Sequence, residues 1–171
     1  LLIKCPQLKT ELIEQIAFEA RASEYIDQKS GVSARLTISA FENIFSVAER
    51  RMLLNDEHGT MVRISDLYGI IPSITGKVEL VYEGELEGIS AVAYSLIGKA
   101  IRKKFSEIFP DPDRAKKSKK ENPYQNIINW FAEGNEVDVL HSVSDREYRD
   151  AFLKVPDLKL IVKKYLTGMQ P

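Results

Sequence analysis

The sequence predicts a mainly α-helical protein with at most a short strand pair. Three observations carry that prediction. Apolar residues recur at three- and four-residue steps through several long segments. The breaks between those segments are polar turns containing glycine or proline. Alternation of the kind a strand needs is confined to two short stretches, 78–82 and 137–140. At 171 residues, 44% hydrophobic and 29% charged, the chain can form one compact domain or a small domain with an appendage. The same figures exclude collagen-like, mucin-like and wholly disordered classes.

The first helix is expected from about Lys9 to Asp27, where Leu12, Ile13, Ile16, Ala17, Ala20 and Ile26 form one face. A polar stretch ending in Gly31 reverses the chain, because glycine adopts positive φ without steric cost. A second helix follows to about Leu54, with Ser33 as its expected N-cap and Leu36, Ala40, Ile44, Val47 and Ala48 on its apolar side. Residues 55–59 (NDEHG) form the next turn. In Ile64-Ser65-Asp66-Leu67, Ser65 is expected to cap a third helix and Asp66 to sit in its positive first turn, with Pro72 bending it. The segment from Gly76 to Gly88 is ambiguous, since Val78, Leu80 and Tyr82 alternate while the glutamates suit a helix; it is read as an irregular or short extended link. A helix of about five turns then runs from Ile89 to Ile108. Pro110 and Pro112 end it, and residues 114–122 are lysine-rich with no large apolar side chain. Beyond them lie a short helix with Tyr124, Ile127, Ile128 and Phe131, an expected strand at Val137–Leu140, a helix capped by Ser144, and a last helix from about Asp157 to Leu166. The expected organisation is a helical domain over 1–109 that includes the long extra helix, a lysine-rich linker over 110–123, and a small helical unit over 124–171.

Cys5 is the single cysteine, so neither an internal disulfide nor a cysteine zinc cluster is expected, and a reducing, cytoplasmic setting is favoured. No apolar run approaches the roughly 18–20 residues that cross a bilayer. The chain starts at Leu1, without Met, in what reads as the approach to a helix, and is expected to be part of a longer protein. Lys and Arg number 24 against 25 Asp and Glu, yet nine of the bases fall between Lys99 and Lys120 beside only three acids. The field around the protein is therefore expected to be dipolar. A lysine run without interleaved aromatics or a reading helix argues against nucleic acid as the partner.

No complete active site is legible. Residues 69–77 (GIIPSITGK) imitate a phosphate-binding loop but have the wrong glycine spacing, and Val78 stands where a Ser or Thr should hold Mg²⁺. Residues 52–57 (MLLNDE) imitate an apolar strand ending in acids, yet read as the end of an amphipathic helix. His58 and His141 lie far apart in loop contexts, and carboxylate pairs such as Asp66 with Glu79 carry no weight on spacing alone. No metal ligand set is expected.

One local pattern does carry chemistry. In Ser30-Gly31-Val32-Ser33-Ala34-Arg35-Leu36, a glycine turn and a cap residue place an arginine in the first turn of a helix. A guanidinium holds phosphate oxygens bidentately, and the helix N-terminus adds N–H donors and partial positive charge. On spacing alone, pairing of Arg35 with an acid such as Asp27 is the favoured alternative.

Residues 30–56 (SGVSARLTISAFENIFSVAERRMLLND) followed by 62–74 (VRISDLYGIIPSI) resemble the helical lid of AAA+ ATPases of the magnesium-chelatase ATPase-subunit and MoxR kind. Gly31, Ser33 and Arg35 match the turn that opens the lid's second helix in that family, where the arginine is called sensor 2. Ile64, Ser65 and Asp66 correspond loosely to a later valine-threonine-x-aspartate turn. The resemblance covers about residues 8–76. Ala34 stands where many such lids have proline, which the first helical position tolerates. What the resemblance implies is an AAA+ lid-type helical bundle with a C-terminal helical extension. It also implies a γ-phosphate-sensing role for Arg35 with turn and cap Gly31 and Ser33, and a longer parent chain whose upstream core holds ATP and Mg²⁺. In that parent, a ring homo-oligomer would couple ATP hydrolysis to remodelling or metal insertion. The fragment itself is expected to hold no cofactor and catalyse nothing. The resemblance says nothing about residues beyond 77. The alternative is a helical protein-interaction module with no nucleotide role, in which the C-terminal unit and exposed lysines bind a protein partner.

Overall fold

A computed structural model describes residues 2–112 and 122–166. The lysine-rich run falls on residues that lie almost entirely outside the described ones. Among the described residues there are eight α-helices, one 3-10 helix and one pair of short strands. In chain order these are β1 (Leu2–Lys4), α1 (Gln7–Ala22), α2 (Arg35–Leu54), β2 (Gly59–Met61) and a 3-10 helix (Ile64–Ile70). Then come α3 (Ile71–Thr75), α4 (Tyr82–Glu87), α5 (Ile89–Ile108), α6 (Gln125–Ala132), α7 (Asp145–Leu153) and α8 (Leu158–Tyr165). No helix among them is long and apolar enough to cross a membrane.

The core sits between α1, α2 and α5. Leu12, Ile13, Ile16, Ala17 and Ala20 of α1 meet Leu36, Ala40, Ile44 and Ala48 of α2 and Val92, Ala93, Leu96, Ile97 and Ala100 of α5, all essentially without solvent contact. These are the stripes that the three- and four-residue spacing marks out. Leu67, Ile70 and Ile74, from the 3-10 helix and α3, close the same core. Lys103 and Lys104 on α5 reach Glu19 and Glu11 on α1, so the rim of that packing is ionic.

Several local expectations change. Residues 2–4 form a strand rather than the approach to a helix: β1 runs parallel to β2, with Leu2, Ile3 and Lys4 opposite Gly59, Thr60 and Met61. Three residues carry no periodicity, so this pairing is invisible to pattern reading. Ser65 does not cap the third helix. The 3-10 segment starts at Ile64, two residues earlier than a Ser65 cap implies, and the Asp66 carboxylate reaches back to accept the N–H of Arg63, the residue at the N-cap, at 2.7 Å. Pro72 occupies the junction where the 3-10 helix gives way to α3, near a helix start, where its missing N–H is not needed. Residues 137–140 form no strand.

The ambiguous acidic segment is both of the things it resembled. Leu80 bridges to Ile26 in antiparallel fashion, with the Asp27 N–H donating to Glu79 and the Val81 N–H to Tyr25. At Tyr82 the chain turns helical, and Glu83 and Glu85 complement the positive start of α4. Gly84 lies flush on the Tyr25 carbonyl, where a Cβ would clash with backbone that a hydrogen bond already holds in place. Gly84→Ala should therefore destabilise the protein by about 1–3 kcal/mol despite its better helix propensity. A denaturant melt measures this, and a neutral or stabilising outcome would show that α4 can lift away.

Candidate functional site

Arg35 opens α2. Gly31 takes φ +70°, the left-handed conformation anticipated for the turn, and its N–H donates to the Asp27 carbonyl at 3.2 Å. The N-cap position falls on Ala34, so Ser33 is displaced by one residue from the expected cap. Ser33 still satisfies the start of the helix. Its Oγ accepts the Arg35 N–H at 3.2 Å and its carbonyl accepts the Leu36 N–H at 2.9 Å. Beside this turn is an open cleft of about 440 Å³, walled on one side by Ser30 to Ser33 and on the other by Thr75, Gly76 and Lys77.

Asp27 is not the partner of Arg35. Its carboxylate accepts the Lys29 N–H at 2.8 Å and a weaker bond from Ser30 Oγ, closing its own turn. Ser30 Oγ also donates to Glu79, tying the turn to the opposite wall of the cleft. The Arg35 side chain is exposed and has no ion pair or side-chain hydrogen bond among the described residues. The arrangement offers a permanently charged, bidentate donor at the positive end of a 20-residue helix.

The other candidates do not assemble. His58 is exposed, and His141 lies edge-on to Tyr68 with ring centroids 6.4 Å apart. Asp66 and Glu79 serve different partners, Arg51 and Ser30. Among the described residues no three His, Cys, Asp or Glu gather as metal ligands.

A polar cluster that sequence reading missed lies behind β2. Arg51 and Asp66, both buried, form an ion pair, and Arg51 Nη2 also donates to Thr60 Oγ1 at 3.2 Å and the Met61 carbonyl at 2.9 Å. Arg63 Nη2 donates to Asp145 Oδ1 at 2.6 Å, and its guanidinium stacks 4.2 Å from the Tyr148 ring centre. Thr60 Oγ1 and the Met61 N–H donate to the same carboxylate. The Asp145 N–H in turn donates to Glu57 at 2.9 Å, and Asn55 Nδ2 donates to the Ser142 carbonyl at 2.8 Å. The C-terminal helices thus dock through Asp145, the first residue of α7, whose capping box of Ser144 and Glu147 matches the expected helix start.

Burial pushes the Asp145 carboxyl upward, but hydrogen bonds from Arg63 and Thr60 and the charges of Arg63 and Arg51 outweigh it and hold the group below its usual value. A depressed folded-state pKa contributes stability above the ordinary carboxyl range near pH 4, lost as pH falls through the folded value. Protection factors of the α7 amides, taken against the intrinsic exchange rate at each pH, should therefore stay high at pH 7 and fall once the pH drops below about 4. Equal protection at acid pH would mean that the contact is held by packing alone.

Comparison with protein-family models, with curated proteins and with solved structures finds no match to this chain.

Proposed function

We propose that the chain is the C-terminal lid portion of an AAA+ ATPase of the magnesium-chelatase or MoxR kind, with Arg35 as its contact to the γ-phosphate of ATP held by an upstream core. The supporting observation is that Arg35, at the head of a long helix and past a left-handed glycine, is exposed with no partner to neutralise it among the described residues. A structural arginine is ordinarily paired, as Arg51 and Arg63 are. In this reading Gly31 and Ser33 set the direction of the arginine, and ATP and Mg²⁺ belong to the core of the parent protein. Loss of the γ-phosphate would remove the attraction and let the lid swing relative to that core, a change that a ring of subunits can transmit toward remodelling or metal insertion. The test is ATP turnover by the intact parent protein carrying Arg35→Ala, with the melting temperature taken on the same variant.

A second reading, a helical interaction module, draws on Tyr82 and Leu86. They stand one turn apart on α4 and are 70% and 71% exposed. Turnover unaffected by Arg35→Ala would favour it.

A further inference from the structure

The docking of α7 and α8 leaves a cleft of about 560 Å³ against β2, the 3-10 helix and α1, within the size range of small-molecule sites. Its walls are mixed in an unusual way. Tyr148, Phe152, Leu158 and Val162 supply apolar surface, while Lys9, Arg63, Arg149 and Lys159 supply cationic groups. The one carboxylate lining it, Asp145, is already engaged by Arg63, Thr60 and the Met61 N–H.

Two of those cations have donors left over. Arg63 is 4% exposed, and although its charge is met by Asp145 through Nη2, its Nε and Nη1 are buried without a hydrogen-bond partner among the described residues. Buried guanidinium nitrogens left without acceptors cost free energy, and Arg63 carries that cost at the wall of the cleft. The Lys9 ammonium has no ion pair or hydrogen bond among the described residues. Its desolvation pulls its pKa below the ordinary lysine value, with Cys5 and Asp66 acting in the opposite sense. Cationic groups with donors left over, next to an apolar wall, match a ligand that has one anionic end and a hydrocarbon body. A bare inorganic anion would leave the wall unused.

We propose that this cleft is a binding site for a monoanionic carboxylate with an apolar tail, its head taken by Arg63 and Lys9 and its tail laid along α7 and α8. The site is separate from Arg35 and does not depend on the nucleotide role assigned to that residue. Its selectivity follows from its walls: an uncharged tail of the same length would leave the cations unpaired, and a head without a tail would gain little from burial.

Sodium decanoate is a suitable probe, titrated calorimetrically into the whole chain with backbone amide shifts followed in parallel. Saturable binding of one equivalent is expected, with the largest shifts in α7, α8 and the 3-10 helix. Decanol and decyltrimethylammonium should bind at least about tenfold more weakly, and acetate should not saturate. Lys9→Met should weaken decanoate binding by about tenfold or more, and so should Val162→Trp, which fills the tail channel. If Val162→Trp loses its helical circular dichroism, Lys9→Met alone decides. Equal affinity for decanol, no saturation, or binding unchanged by Lys9→Met would each overturn the assignment.

Discussion

Asp66→Ala is expected to destabilise the protein by about 3–5 kcal/mol, because it strands Arg51 in the interior with its counter-charge gone. Arg51 is 2% exposed and Asp66 is wholly buried, so the lost carboxylate leaves a gap with no direct opening to bulk solvent. What remains for Arg51 is one hydroxyl and one carbonyl, and its Nε is already without a partner. The substitution also removes the acceptor for the Arg63 N–H at the start of the 3-10 helix. Against a total stability of about 5–15 kcal/mol for a domain, such a loss is a large fraction of the whole. Asp66→Asn keeps the shape and one acceptor and should cost less. Replacing both partners with apolar residues of similar volume, Arg51→Met with Asp66→Leu, should recover much of the loss. Urea melts of the wild type, Arg51→Met, Asp66→Leu and the double variant close the cycle, and a shift below about 1 kcal/mol for Asp66→Ala would show that Arg51 finds another way to water.

For Arg35 the expected pattern is the opposite one, a large effect on turnover with little on stability. On the AAA+ lid reading proposed above, Arg35→Ala in the intact parent should slow ATP hydrolysis by about 100-fold or more, since a preorganised charge at the transferring group is worth several kcal/mol in the transition state. The side chain is exposed and unpaired among the described residues, so stability should move by no more than about 0.5 kcal/mol. Arg35→Lys should rescue only in part, because an ammonium keeps the charge and loses the planar fork. Wild-type turnover in Arg35→Ala would remove the γ-phosphate role, and a large fall in melting temperature would reveal a structural partner instead.

The helical class and the three core helices were legible because α1, α2 and α5 each bury a continuous stripe, and burial on one side of a helix leaves a repeating signal. Arg35 and its glycine turn were legible for a similar reason, since positive φ and a first-turn position are local properties. The buried ion pair left a weaker trace. Arg51 falls on the stripe of Ala40, Ile44 and Ala48, where a charged residue signals a partner in the core, but the spacing alone does not say which acid that partner is. Asp66 was recognised as a first-turn acid, which accounts for one of its oxygens and conceals the other. Asp145 was hidden more completely. Its neighbours Ser144 and Glu147 explain it as a capped helix start, and nothing local indicates that it faces Arg63 across 82 positions of sequence. The strands β1 and β2 are too short for any period to register.

The separation of those two ion pairs along the chain also orders events in time. Arg51 and Asp66 are 15 positions apart and can meet once α2 and the 3-10 helix exist, whereas Arg63 waits for a residue 82 positions later. Closing the longer loop costs more entropy and requires more of the chain to be made. A polypeptide leaving the ribosome therefore passes through a stage at which its helical core is complete while Thr60, Arg63 and the apolar surface around them stand bare. Helix α7 is the piece that ends this stage. Whatever meets the emerging chain first, a chaperone or a second nascent copy, competes with α7 for that surface.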